Sequence, residues 1–204
     1  EMCIRDRSVG NPKLSSIPDQ AFSGCSSLEN IDLSMCTSVG SIAFSGCSKL
    51  QNVNTYICTS IGSNAFSGCS LMTEVDLSAC KELGANAFGG CTKLENVIGL
   101  ENFKSIPVGA FIKTGIKFVD LPQCTTIGSS AFNGCSSLQS VDLPVCTTIY
   151  GAAFGDCSSL QSVDLPKVES LGEIAFWGSG ITKISLPETL KSMGYQCFDK
   201  VTEY

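Results

Sequence analysis

Apolar and polar positions along the chain repeat with a period of 22 residues. The clearest member of the repeat is a phenylalanine that recurs at this spacing, with one step of 23 residues followed by one of 21. Its nine copies are Phe22, Phe44, Phe66, Phe88, Phe111, Phe132, Phe154, Phe176 and Phe198. A fixed period of this size is typical of a solenoid, in which one coil cannot bury its apolar face without its neighbours.

Each repeat joins two parts of different character. The first, Leu-x-x-Val-Asp-Leu, alternates apolar and polar residues near its end, which indicates a strand with one buried face. The second, Thr-x-Ile-Gly-x-x-Ala-Phe-x-Gly-Cys, is interpreted as a short second strand followed by a tight helical turn. We therefore predict an α/β-type repeat solenoid that has a parallel β-sheet on one face and short strands and helical turns on the others.

The repeat also sets the expected domain organisation. Residues 8–204 are predicted to form a single solenoid of about nine 22-residue repeats, as a fragment of a longer array. Residues 1–7, EMCIRDR, lie outside the repeat and resemble the translation of a transposon end used to prepare sequencing libraries. We interpret them as a non-native scar, with a genuine terminus as the alternative.

The cysteines beyond Cys3 fall mainly into two columns with the same period. One column holds Cys25, Cys47, Cys69, Cys91, Cys135 and Cys157, and the other holds Cys36, Cys58, Cys80, Cys124 and Cys146. Other repeats place Phe103, Val168, Thr114 or Ser179 in these columns, which favours a role as small buried side chains. Disulfides between neighbouring coils are the alternative, since the expected spacing of about 5 Å falls within the permitted range.

Composition narrows the function classes. The net charge of −6 with no run of Lys or Arg argues against nucleic acid as a partner, and no apolar stretch approaches the ~20 residues of a membrane span. The chain has no histidine, so Ser-His and Cys-His nucleophilic schemes are excluded. Without Cys-x-x-Cys or histidine, a metal site is not expected either. We predict a monomeric protein that is not an enzyme and uses no cofactor.

Outward positions of the predicted sheet provide the candidate partner-binding residues. Aspartates 120, 142 and 164 occur in consecutive repeats and are expected to form a ladder with a spacing of about 5 Å. Phe118 stands out among small polar residues in the neighbouring column, and Trp177 among Ser and Gly in another. The candidates are Phe118, Asp120, Ser140, Asp142, Ser162, Asp164 and Trp177. A solvated polar face without a ligand is the alternative interpretation.

The motif Leu-x-x-Val-x-Leu-Pro followed by Ile-Gly-x-x-Ala-Phe-x-Gly-Cys resembles the BspA-like leucine-rich repeats of bacterial and protist surface proteins. The resemblance covers about residues 11–204 and implies a right-handed solenoid with a parallel sheet along one face. It also implies a secreted or cell-surface location and adhesion-like binding of a protein or glycan. A passive spacer that presents another domain is the alternative. The cysteine column that begins with Cys36 departs from the pattern, because aliphatic residues are expected there.

Overall fold

The computed structural model describes residues 8–9 and 14–202, so the interpreted scar at residues 1–7 lies outside the described residues. The chain forms two compact units, the first ending at Gly99 and the second beginning at Leu100. This boundary falls where the repeat is irregular in sequence, since Gly99 is an inserted residue. Regular structure in the described residues consists of short strands and a three-residue 3-10 helix, Leu100–Asn102.

The N-terminal unit is built from two sets of parallel strands. The first set contains β1 (Ser8–Val9), β3 (Asn30–Ile31), β5 (Asn52–Val53), β7 (Glu74–Asp76) and β9 (Asn96–Ile98). The second set contains β2 (Ser16–Ile17), β4 (Ser38–Val39), β6 (Ser60–Ile61) and β8 (Glu82–Leu83). The first set divides into two sheets, β1-β3-β5 and β7-β9, and the second forms one. Within each sheet, strands pair with their equivalents in the next coil, so that Ser16 lies opposite Ser38 and Ile17 opposite Val39.

The C-terminal unit follows the same plan. Its first set of strands contains β11 (Phe118–Asp120) and β13 (Ser140–Asp142), which pair with each other. Its second set forms one five-stranded parallel sheet of β10 (Ser105–Ile106), β12 (Thr126–Ile127), β14 (Thr148–Ile149), β15 (Ser170–Leu171) and β16 (Ser192–Met193). Parallel pairing of successive coils confirms the predicted solenoid in each unit. Over the described residues, no helix has the length and apolar character needed to cross a bilayer.

The segment before each phenylalanine differs from the predicted helical turn. Alternate residues there donate their backbone N–H groups to the next coil, as Ile42 does to Ser63 O at 2.9 Å and Phe44 to Ala65 O at 2.7 Å. The residue two positions before the phenylalanine also has a positive φ, which is 60° at Ile42. A left-handed residue interrupts a right-handed helix. Because the N–H groups point along the stack, the segment forms tight turns instead.

The phenylalanines fill the interior of each unit. The seven inner rings have no exposed surface, whereas Phe22 and Phe198 are half-buried. Neighbouring rings stack nearly parallel, with centroids 5.2–5.4 Å apart in the N-terminal unit and 5.2–5.6 Å apart in the C-terminal unit. The spacing of the rings therefore matches the spacing of the coils, and every inner ring contacts rings rather than water.

The glycine that follows the second strand permits this close stacking. A Cβ atom on Gly62 would lie 2.5 Å from the Ser41 nitrogen of the preceding coil, and one on Gly128 would lie 2.7 Å from the Val108 nitrogen. Since these atoms belong to the backbone, no side-chain rotation can relieve the clash. In these two coils the close approach of the preceding coil leaves no room for a Cβ atom.

Candidate functional site

The short sheet of β11 and β13 brings four of the seven predicted residues together. Phe118 lies opposite Ser140, and Asp120 lies opposite Asp142. Val119 and Val141, which alternate with them, are buried and fix the sheet to the core. Alternation then forces the other side chains outward. Phe118 is 65 % exposed, and Asp120, Ser140 and Asp142 are exposed as well. We call these four residues the β11–β13 face.

The third aspartate does not extend this ladder as a strand. Ser162 and Asp164 are exposed, but their segment has no strand structure. Leu121 N donates to Asp142 O at 3.1 Å, and the hydrogen bonds of the described residues include no equivalent from Leu143 to Asp164. The expectation of a ladder of three aspartates is therefore wrong in part. Asp120 and Asp142 are paired in the sheet, whereas Asp164 is exposed in a segment without strand structure.

The aspartates of the repeat fall into two groups that sequence reasoning did not separate. Asp32 Oδ1 accepts a hydrogen bond from Ser34 N at 2.9 Å, and Asp76 Oδ1 accepts one from Ser78 N at 2.8 Å. These are Asx turns, in which a side chain bonds to the backbone two residues ahead. The hydrogen bond from Ser34 lowers the pKa of the Asp32 carboxyl below its usual value.

Asp120, Asp142 and Asp164 cannot form this turn, because the residue two positions later is a proline in each case. Proline has no backbone N–H to donate. Among the described residues, no donor contacts the carboxylates of Asp120 and Asp142, so both are available to a partner. The signal that distinguishes the two groups is visible in the sequence as Asp-Leu-Ser against Asp-Leu-Pro.

Trp177 lies elsewhere in the same unit. It is 44 % exposed and belongs to the turn after β15, where its backbone N–H donates to the carbonyl oxygen of Ile174 at 3.1 Å. It therefore does not join Phe118 on the β11–β13 face.

The cysteine columns are buried, as the interpretation of them as small core side chains requires. The thiol of Cys47 donates to Phe22 O at 3.1 Å, and that of Cys91 donates to Phe66 O at 3.1 Å. In the other column, Cys58 Sγ donates to Cys36 O at 2.9 Å. Free thiols in the described part are Cys36, Cys47, Cys58, Cys69, Cys80, Cys91, Cys124, Cys135, Cys146, Cys157 and Cys197.

Burial makes Cys47 and Cys91 poor nucleophiles. It raises the pKa of Cys47 to about 11 and the pKa of Cys91 to about 12. Because the thiolate is the reactive form, a raised pKa suppresses attack and metal binding at neutral pH. Within residues 8–9 and 14–202, no group of three or more His, Cys, Asp or Glu side chains is arranged to hold a metal ion.

Comparison with known proteins gives a family match along most of the chain. A model described as the BspA type leucine rich repeat region matches residues 15–139 and 125–204, in six copies. No curated protein matches the sequence.

Several solved structures have a similar fold. A leucine-rich repeat protein from Eubacterium ventriosum is 28 % identical with a TM-score of 0.64, and the alignment covers 74 % of this chain and 43 % of that protein. A leucine-rich repeat protein of T. pallidum is 25 % identical with a TM-score of 0.54, covering 94 % of this chain and 74 % of that one. A leucine rich cell surface protein from Faecalibacterium prausnitzii is 19 % identical with a TM-score of 0.59. The alignment covers 90 % of this chain and 71 % of that protein, and at this identity it shows only a common fold. The chain thus spans less than half the length of the Eubacterium protein.

Proposed function

Because the chain belongs to the BspA-type leucine-rich repeat family, we propose that it is a non-enzymatic interaction module that binds a protein partner through the β11–β13 face. The observation that carries the proposal is the exposed aromatic ring of Phe118 beside two carboxylates that accept no hydrogen bond from the residues that the structure describes. An aromatic anchor surrounded by polar groups is the usual composition of an energetic centre in a protein interface.

The charge of the face favours a basic partner surface. Asp120 and Asp142 lie directly opposite each other in a parallel sheet, where side chains on one face are about 5 Å apart. Two like charges at this distance repel, and a cation of the partner placed between them relieves the repulsion. Ser140 keeps the space next to Phe118 open, because its side chain is small.

We further propose that the module acts as a monomer, secreted or displayed at the cell surface. The Faecalibacterium prausnitzii protein of similar fold is a cell surface protein, and this supports the location without giving a partner. Retention of free carboxylates and an exposed ring on one face agrees with recognition of a second molecule rather than with self-association.

The test uses two matched double variants that each remove one exposed apolar side chain and one carboxylate. Phe118→Ser with Asp120→Asn changes the β11–β13 face. Met35→Ser with Glu74→Gln makes the same chemical change in the N-terminal unit, where Met35 is 58 % exposed and Glu74 is exposed on β7. Both proteins are assayed for binding to panels of immobilised extracellular-matrix proteins and immobilised glycans.

We expect the β11–β13 variant to bind its matrix protein roughly tenfold or more weakly, as loss of an interface hot spot does, and the control to bind like the wild type. Equal binding by both variants would contradict the proposed face. Absence of binding by the wild-type chain to either panel would favour the passive spacer. Binding to glycans alone would replace the protein partner by a carbohydrate.

A further inference from the structure

The C-terminal unit carries a second exposed apolar cluster, distinct from the β11–β13 face. It lies at the end of the second set of strands and in the turns that follow them. Its four members are Tyr150, which is 51 % exposed, Ile174 at 39 %, Trp177 at 44 % and Tyr195 at 73 %. We call these residues the aromatic patch.

Backbone contacts join the members of the aromatic patch through three successive coils. Ile174 N donates to Tyr195 O at 2.9 Å, and Trp177 N donates to Ile174 O at 3.1 Å. Tyr150 lies in the coil before, where its carbonyl carbon would be 2.6 Å from a Cβ atom built on Gly172. The middle coil therefore packs directly against the backbone of the coil that carries Tyr150.

The aromatic residues are local exceptions to the repeat. Gly40, Gly62, Gly84 and Gly128 occupy the column of Tyr150. Ser23, Ser45, Ser67 and Gly89 occupy the column of Trp177. Neither side chain is needed to fill the core, since both columns work with Gly or Ser in other coils. An exposed apolar cluster that packing does not require indicates an interaction surface.

Carboxylates border the patch. Asp156 N donates to Trp177 O at 2.7 Å, and Asp156 Oδ1 lies against Gly178, the residue after the tryptophan. Glu173 precedes Ile174 and is exposed, and Asp199 occupies the column of Trp177 in the following coil.

The nearby lysines do not neutralise this border. Lys200 Nζ donates to Ser179 O at 3.0 Å, and Lys191 forms an ion pair with Glu169 at 2.7 Å. Three carboxylates, those of Asp156, Glu173 and Asp199, border the patch, whereas the ammonium group of Lys200 is bonded to a backbone carbonyl. The patch combines aromatic faces with an excess of negative charge.

We propose that the aromatic patch docks an arginine-bearing segment of a partner protein. A guanidinium group stacks on the faces of Trp and Tyr while its N–H groups bind carboxylates, which no other side chain does in one geometry. Trp177 gives the best face for such a cation. Glu173 lies four residues before it in the same coil, and Asp156 bonds to its carbonyl from the preceding coil. The attraction is electrostatic at an exposed site, so it weakens as salt is added.

The single tryptophan of the chain makes a site-specific test practical. Fluorescence of Trp177 in the full chain is recorded during titration with a hexa-arginine peptide, at low and at physiological salt. Hexa-glutamate serves as the anionic peptide probe, and maltohexaose serves as the neutral carbohydrate probe. We expect a saturable change with hexa-arginine that weakens with salt, and none with the other two probes.

Two substitutions at exposed positions, Tyr195→Ser and Glu173→Gln, should each weaken this binding by about two- to fivefold. Asp142→Asn removes one negative charge from the β11–β13 face and should leave the binding of hexa-arginine at the aromatic patch unchanged. The two surfaces are thereby tested separately. Equal weakening by Asp142→Asn would overturn the proposal in favour of non-specific attraction. A response to maltohexaose alone would overturn the proposal in favour of a glycan ligand. A fluorescence signal that depends only on protein concentration would overturn it in favour of a second copy of the chain.

Discussion

At the scale of single residues, the unusual feature of this protein is a column of left-handed backbone conformations. The residue two positions before each phenylalanine has a positive φ, including Ile42 at 60° and Ile174 at 50°. Another such column follows the phenylalanines, where glycine is usual but Lys113 and Asp156 both have φ of 55°. An L-residue in this region costs roughly 1–2 kcal/mol. The stack of coils stabilises these conformations through the hydrogen bonds between them.

Lys113→Gly should therefore stabilise the C-terminal unit. Relief of the left-handed strain outweighs the greater flexibility of glycine in the unfolded chain, for a net gain of about 0.5–1 kcal/mol. The free energy of unfolding in urea provides the measurement. Lys167→Gly is the control, because Lys167 is not among the residues of positive φ and glycine there should destabilise. A loss of stability in Lys113→Gly would contradict the prediction.

The buried thiols give a second prediction at this scale, on the pH dependence of stability. Burial raises the pKa of Cys47 from 9.0 to about 11 and that of Cys91 from 9.0 to about 12. Below pH 9 both states keep the thiol protons, so the stabilisation is complete. As the pH rises from 9 towards 11–12, the unfolded chain loses protons that the folded protein retains, and the free energy of unfolding falls.

The test compares the wild type with the double variant Cys47→Ala, Cys91→Ala. Thermal unfolding of both proteins is measured between pH 8 and pH 10.5. The double variant should be less stable at pH 8 but lose less stability with increasing pH. Parallel pH profiles would show that these thiols do not cause the decrease.

At the scale of elements, stability depends on stacked rings more than on strands, because the strands are only two or three residues long. Isolated strands of this length are not stable. The phenylalanine of each coil fills the interior between the two sets of strands and contacts the rings above and below. Removal of one inner ring opens a cavity that neighbouring coils cannot close without breaking their hydrogen bonds.

Phe132→Ala should destabilise the protein by about 3–5 kcal/mol, the usual cost of truncating a fully buried phenylalanine. Phe22→Ala is the matched change at a half-buried ring and should cost clearly less. Chemical denaturation of the two variants gives both values. Similar losses would contradict this prediction, because the two rings differ both in burial and in the number of rings stacked on them.

At the scale of the whole molecule, the sequence is sufficient to predict the parallel solenoid, because the period of the phenylalanines and the aliphatic columns reflects the core directly. Four candidate residues, Phe118, Asp120, Ser140 and Asp142, do meet on one face. The turns were not predictable from composition, since Ile42 or Lys113 carries no signal of a positive φ. The aromatic patch was missed apart from Trp177, because its members occupy different columns and meet only when coils stack. One array of about nine repeats remains a prediction, because the chain forms two compact units.

The choice between serine and proline two residues after the aspartate acts as a switch for individual coils. Serine donates its backbone N–H to the exposed carboxylate, as at Asp32, and proline cannot, as at Asp142. Since neither residue belongs to the core, one substitution per coil can bind a carboxylate to the backbone or free it for a partner without altering the scaffold. The outer surface of such a protein can therefore diversify coil by coil while the interior stays constant.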